Sequence, residues 1–194
     1  MHAAERRDQV LACATELFAE SGYHRTTVGH IVERASVARG TFYLYFQDKR
    51  SIFDELLQQY MDDLRGAYTG IDIALGPSRC LELMRENVNG VLLVCLDQRH
   101  LTKILLSEAV GLDEAFDKKL GNFYGEVIEL LERTLRLGQK IGIVPPGDVQ
   151  ISAISILGSL KELLYQIIMR DYDVEVTDLV DGLLSMYRKG LVSF

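Results

Sequence analysis

ARGTFYLYFQDK, Ala38 to Lys49, decides the reading of this chain. Four aromatic rings, Phe42, Tyr43, Tyr45 and Phe46, stand between an arginine and a lysine with little else that is apolar. Packed cores seldom need two tyrosines flanked by cations, so part of this stretch faces a polar, anionic partner. On a helix beginning near Ala38, Phe42 and Phe46 are four residues apart and share one face, which lets them pack inward on Val10, Leu17 and Ile31. Arg39, Thr41, Tyr43, Tyr45 and Lys49 are left outside.

That outer set has the chemistry of a DNA major-groove reader. A short helix fits the groove, Arg39 can read a guanine edge, and Thr41 can meet a thymine methyl or a phosphate. Tyrosine hydroxyls, the Lys49 ammonium and helix N-terminal amides suit phosphate oxygens, which fix register without reading sequence. Gly40 offers no side chain to obstruct a close approach of backbone to duplex.

The flanking residues supply a frame. Val10, Ala14, Leu17 and Phe18 repeat at helical spacing, and that first helix ends near ESGYH, where Gly22 can turn left-handed. TTVGHIVERA comes next as a short second helix, with Thr26 or Thr27 placed to cap it. The aromatic stretch is the third, so a long helix and two short ones around a tight turn give a helix-turn-helix unit. Asp48 caps a fourth helix with Ile52, Phe53, Leu56, Leu57, Tyr60 and Leu64 on its apolar side. Long helices are expected from Cys80 to about Leu96, from Leu101 to about Val110, and from after GLDEAF to about Leu137. Asp148 is placed as the N-cap of the next helix, after the break IGIVPPGD. ISAISILGSLKELLYQII is apolar on more than one side, with Ser152, Ala153, Ser155, Gly158 and Ser159 permitting close approach, so a second copy is expected to cover it. No period-two alternation appears, and the fold class is all-α.

Composition bounds the function classes. The chain has 194 residues, 48% hydrophobic and 25% charged, as in ordinary globular proteins. Net charge is −7, which by itself argues against nucleic acid. The first fifty residues nevertheless hold seven Lys/Arg against six Asp/Glu, so the acidic excess lies in the rest of the chain, and such asymmetry suits one end meeting a polyanion. The three cysteines, Cys13, Cys80 and Cys95, form no CxxC pair and read as small apolar fillers. The longest unbroken apolar run, Val91 to Leu96, is far short of a bilayer span, so no membrane helix is expected. The N-terminus lacks an export signal's apolar core, and a cytoplasmic location is expected. His24 and His30 have no partners at ligand spacing, so they read as surface or capping residues; no metal and no cofactor is expected. GxSxG, P-loop, GxGxxG and HExxH motifs are absent, which argues against an enzyme.

LFAESGYHRTTVGHIVERASVARGTFYLYFQDKRSIFDELL, residues 17 to 57, resembles the N-terminal domain of the TetR family of bacterial transcriptional regulators. The resemblance implies an all-helical homodimer with a DNA-binding domain at 1–50 and an effector-binding and dimerisation domain at 51–194. Dimerisation would use the last two helices, about 149–171 and 175–190. By position, Thr27 would cap helix two and touch phosphate; Arg39, Gly40 and Thr41 would meet base edges or adjacent backbone; Tyr43, Tyr45 and Lys49 would hold phosphates. Ser36 stands where the family usually has glycine, which strains the turn by about 1 kcal/mol if a left-handed residue is needed. Gly29 stands where many members carry a longer polar side chain.

The resemblance also implies a repressor released from a palindromic operator by a small effector. The effector pocket should be largely apolar, given the Leu, Ile, Val and Phe supplied by 81–110 and 116–137. FYGEV and KELLY could line that pocket or simply fill the core. A fatty acid or acyl-CoA would meet Arg99, His100 and Lys103 at its anionic end. The rival is a lipophilic cation held by Glu108 with Tyr124 or Tyr165. The alternative from another class is a helical interaction module without DNA binding, which leaves Arg39, Tyr43, Tyr45 and Lys49 unexplained.

Overall fold

The computed structural model describes residues 3–107, 113–170 and 172–189. Among them are only helices: α1 Ala3–Ser21, α2 Val28–Arg34, α3 Arg39–Tyr45, α4 Lys49–Gly66, α5 Gly76–Asp97, α6 Arg99–Ser107, α7 Glu114–Lys140, α8 Val149–Met169 and α9 Val176–Lys189, with a 3₁₀ turn at Ile73–Leu75. The all-α class is as expected. The expected end of α6 near Val110 lies outside the described residues. α5 begins earlier than expected, because Pro77 is accommodated in its first turn.

Local signals set most boundaries. Thr27 Oγ1 accepts from the His30 amide at 3.2 Å, and His30 Nδ1 accepts in return from the Thr27 amide, so the cap is Thr27 and His30 belongs to it. Thr26 is instead buried, its hydroxyl donating to Leu17 O and Gly22 O. Asp48 and Asp148 cap α4 and α8 through the amides of Ser51 and of Gln150 and Ile151. Gly22, at φ 82°, ends α1.

Packing joins the first three helices to the rest of the chain. Val10, Ala14, Phe18, Ile31, Phe42 and Phe46 form one core with Ile52, Phe53, Leu57 and Tyr60 of α4, and that core continues into Ile104 and Leu105 of α6 and Phe116, Leu120 and Phe123 of α7. A second cluster joins α5, α8 and α9 through Leu92, Leu164, Ile167, Val180 and Leu183. Ion pairs lace α4 to the α7 side: Arg50 with Asp113, Asp54 with Lys119 at 2.7 Å, and Arg65 with Glu126 at 2.8 Å. α4 is therefore tied at one end to the helix-turn-helix unit and along its length to α7.

α8 is long and apolar enough, by length and composition, to cross a membrane. Its apolar residues are diluted by Ser and Gly, so no unbroken run announced it. One side packs on α6 and α7, while Ile151 and Ile154 remain 65% and 51% exposed.

Candidate DNA interface and ligand cavity

The turn between α2 and α3 is closed by backbone. The Ser36 amide donates to Glu33 O at 3.1 Å and the Val37 amide to Val32 O at 3.0 Å, the paired bonds of a Schellman ending. That ending requires a left-handed residue, and Ser36 has φ 52°. The turn sets α3 with Phe42 fully buried and Phe46, just past its last residue, nearly so.

The outer surface of α3 is set by its period. Arg39 and Tyr43 share one row, Gly40 and Leu44 the next. Arg39 is exposed and, among the described residues, has no hydrogen-bond or ion-pair partner. Arg7, Arg34 and Arg50, by contrast, are paired with Glu55, with Glu16 and Glu20, and with Asp113. Tyr43 is 51% exposed; Tyr45 is half-buried against the core, and Thr41 is half-buried. A side chain built at Gly40 would meet nothing within 4 Å, so the fold itself does not require glycine there. Leu44, at 78% exposure, is an apolar residue on this face that the sequence reading passed over. The signal was present in FYLYF, where the two phenylalanines, four apart, take the inward face and leave Leu44 outside it.

Lys49 behaves differently from the expectation. Its Nζ donates to Tyr23 O at 2.7 Å, Thr26 O at 2.8 Å and His24 O at 3.4 Å, and lies 4.1 Å from the centre of the Tyr23 ring. Desolvation lowers its pKa. All three donors of the ammonium are thus turned to the α1–α2 loop that carries Thr27.

A cavity of about 280 Å³ lies between α4, α5, α6, α7, α8 and α9. Its wall is mainly Leu, Ile and Val, with Tyr60, Thr102, Asn87, Tyr124 and Lys161 among its polar members. Tyr60, Thr102 and Cys95 form a buried hydrogen-bonded group at this wall. Burial pushes the Cys95 thiol up, so it is an inert, protonated filler. Arg65, ion-paired to Glu126 and 5.3 Å over Phe123, sits on the α4 part of the wall. No cluster of three or more His, Cys, Asp or Glu suited to a metal is found among the described residues.

Residues 10–56 match the family model of the bacterial regulatory proteins of the tetR family. The whole chain is 26% identical to the fatty acid metabolism regulator protein of Bacillus subtilis, over 94% of both chains. Its fold matches the fatty acid degradation regulator FadR of Bacillus halodurans with a TM-score of 0.75 at 25% identity, covering 97% of each. FadR of Bacillus subtilis in complex with stearoyl-CoA has the same fold, with a TM-score of 0.73 at 23% identity over 95% of this chain and 99% of that one.

Residues 10–56 are a TetR-family domain.

The fold brings together some of the expected residues and separates others. Thr27, Arg39, Gly40, Thr41, Tyr43 and Tyr45 all lie on the helix-turn-helix unit, with Lys49 behind it. Of the residues expected at the effector, Tyr124 alone among the described ones lies on the cavity wall. Arg99, His100, Lys103 and Tyr165 do not. Arg99 and His100 are exposed at the start of α6, and the Arg99 guanidinium reaches the Ile167 carbonyl of α8, because the α5–α6 corner turns that first helical turn outward. Glu108 lies outside the described residues. Lys161 Nζ stands over one face of the Tyr124 ring, 4.0 Å from its centre. Lys161 is the cavity residue that sequence reading missed, although it opens the KELLY stretch, which could line the pocket.

Proposed function

We propose that this regulator is a cytoplasmic homodimeric repressor of a palindromic operator, released by a small effector with a long apolar tail. Residues 1–50 take the DNA and 51–194 the effector and the second copy. The reading is carried by one observation: α4 lines the cavity with Tyr60, Leu64 and Arg65 and also holds Ile52 and Phe53 in the core of the helix-turn-helix unit. A ligand that moves α4 therefore moves the reading head.

At the DNA, Arg39 takes a guanine edge, Thr41 and the exposed Leu44 meet thymine methyls or backbone, and Thr27, Tyr43 and Tyr45 hold phosphates. Lys49 acts by fixing the loop that presents Thr27. In the dimer the two copies of α3 stand about one DNA turn apart, roughly 34–36 Å. The uncovered stripe of α8, Ile151, Ile154, Ser155 and Gly158, supplies the surface between copies, together with α9. A ligand shifts this spacing only through its differential affinity for the two arrangements.

A fatty acyl effector is favoured over a lipophilic cation by the apolar wall, by the ammonium of Lys161 on it, and by the fatty acid regulators to which the chain is similar. The test is selection of bound duplexes from a random DNA pool at stated salt, and then release with fatty acids, acyl-CoAs and cationic amphiphiles. A palindromic site released by acyl compounds is expected. Failure to enrich any sequence with a folded dimer, or release by cations alone, would overturn the reading.

A further inference from the structure

Most polar side chains on the cavity wall are already satisfied. The Tyr60 hydroxyl is bonded to Thr102 and Cys95. Asn87 Oδ1 accepts from the Thr69 amide at 2.8 Å and its hydroxyl at 2.9 Å. Tyr68 pairs with Thr134 at 2.8 Å, Tyr187 with Ser159, and Arg65 with Glu126. Two are left. Neither the Lys161 ammonium nor the Tyr124 hydroxyl has a hydrogen-bond or ion-pair partner among the described residues, and Lys161 Nζ lies 4.0 Å from the centre of the Tyr124 ring.

A half-buried ammonium beside Leu157, Leu160 and Leu164, with no counter-charge among the described residues, is unfavourable until something supplies one. Desolvation lowers the Lys161 pKa and pushes the Tyr124 hydroxyl up to about 12, so at neutral pH the wall presents a cation and a neutral O–H donor side by side. Their chemical complement is an anionic acceptor attached to an apolar tail. The neutral carbonyl of a thioester offers Lys161 less than a carboxylate does. The cavity volume of about 280 Å³, near the lower end for ligand sites, also suits a tail and a carboxylate better than it would a nucleotide.

We infer that Lys161 and Tyr124 form the headgroup site of the cavity and that they bind the carboxylate of a free long-chain carboxylic acid. This rests on the fatty acyl reading above and narrows it. The carboxylate lies at α7 and α8, and the tail runs along the Leu and Val side chains toward α4 and α5.

The test is titration of the full-length protein, by calorimetry, with dodecanoate, 1-dodecanol and dodecanoyl-CoA, for the wild type, Lys161→Met and Tyr124→Phe. The wild type should bind dodecanoate roughly ten- to hundred-fold tighter than the alcohol. Lys161→Met should erase that preference while leaving the alcohol's affinity within about two-fold, which also shows that the cavity is intact; Tyr124→Phe should lose a few-fold. Equal binding of acid and alcohol by the wild type, or a preference that survives Lys161→Met, overturns the assignment. Tighter binding of dodecanoyl-CoA than of dodecanoate overturns it and leaves the fatty acyl reading standing. Binding of none of the three overturns both.

Discussion

Ser36 holds the turn between α2 and α3 at φ 52°, a conformation that costs an L-residue about 1–2 kcal/mol relative to the right-handed region. Its side chain is exposed and makes no hydrogen bond, so replacement by glycine removes no contact. The two backbone bonds of the turn, Ser36 to Glu33 and Val37 to Val32, are equally available to glycine. Against the relieved strain stands the larger conformational freedom of glycine in the unfolded chain, about 0.4–1 kcal/mol. The net expectation for Ser36→Gly is a stabilisation of about 0.5–1 kcal/mol, or roughly 1–4 °C in Tm for a chain of this size. Thermal and urea denaturation at one fixed protein concentration would measure it, since the stability of the proposed dimer depends on concentration. Ser36→Val provides the opposite arm, because a β-branched residue tolerates the left-handed region worst. Operator affinity should be unchanged or slightly improved, as the turn geometry is the same. A Ser36→Gly protein no more stable than the parent, or Ser36→Val equal to it, would refute the claim that this turn stores strain.

Arg39→Ala should relax base preference at one operator position by about 1–3 kcal/mol in competition binding, whereas Lys49→Met should weaken binding to all sequences alike. Lys49→Met should also destabilise the fold by about 1–2 kcal/mol by urea titration, because three loop carbonyls lose their donor. Tyr60→Phe should cost about 0.5–1.5 kcal/mol in the same assay, since Thr102 keeps its bond to the Cys95 carbonyl at 2.6 Å. Asp113 has its pKa lowered, first by the Phe116 amide and then by Arg50. A depressed carboxyl stabilises the fold above its unfolded value and stops doing so as pH falls through the folded one. The stability gap between wild type and Asp113→Asn should therefore be constant at neutral pH and close in acid below the ordinary aspartate range; a gap unaffected by acid would contradict the pairing.

Much of this protein was legible in its sequence. The helices, the caps at Thr27, Asp48 and Asp148, and the inward rings Phe42 and Phe46 depend on residues three or four apart, and such neighbours are set by the helical period alone. The dense local pattern from Leu17 to Leu57 carried the family for the same reason. What sequence could not assign is who meets whom across the chain. Arg34, Lys49 and Arg50 look alike as exposed cations, yet one is held by Glu16 and Glu20, one by loop carbonyls and one by Asp113, while Arg39 is left open. The ligand end shows the same limit. Arg99, His100 and Lys103 cluster in sequence but sit at an outward corner, and Lys161 reaches the cavity because α8, apolar nearly all round, is rotated by its packing against α6 and α7. A helix with apolar residues on every side carries no local instruction about which side turns inward, so only long-range packing decides which polar side chain faces the cavity.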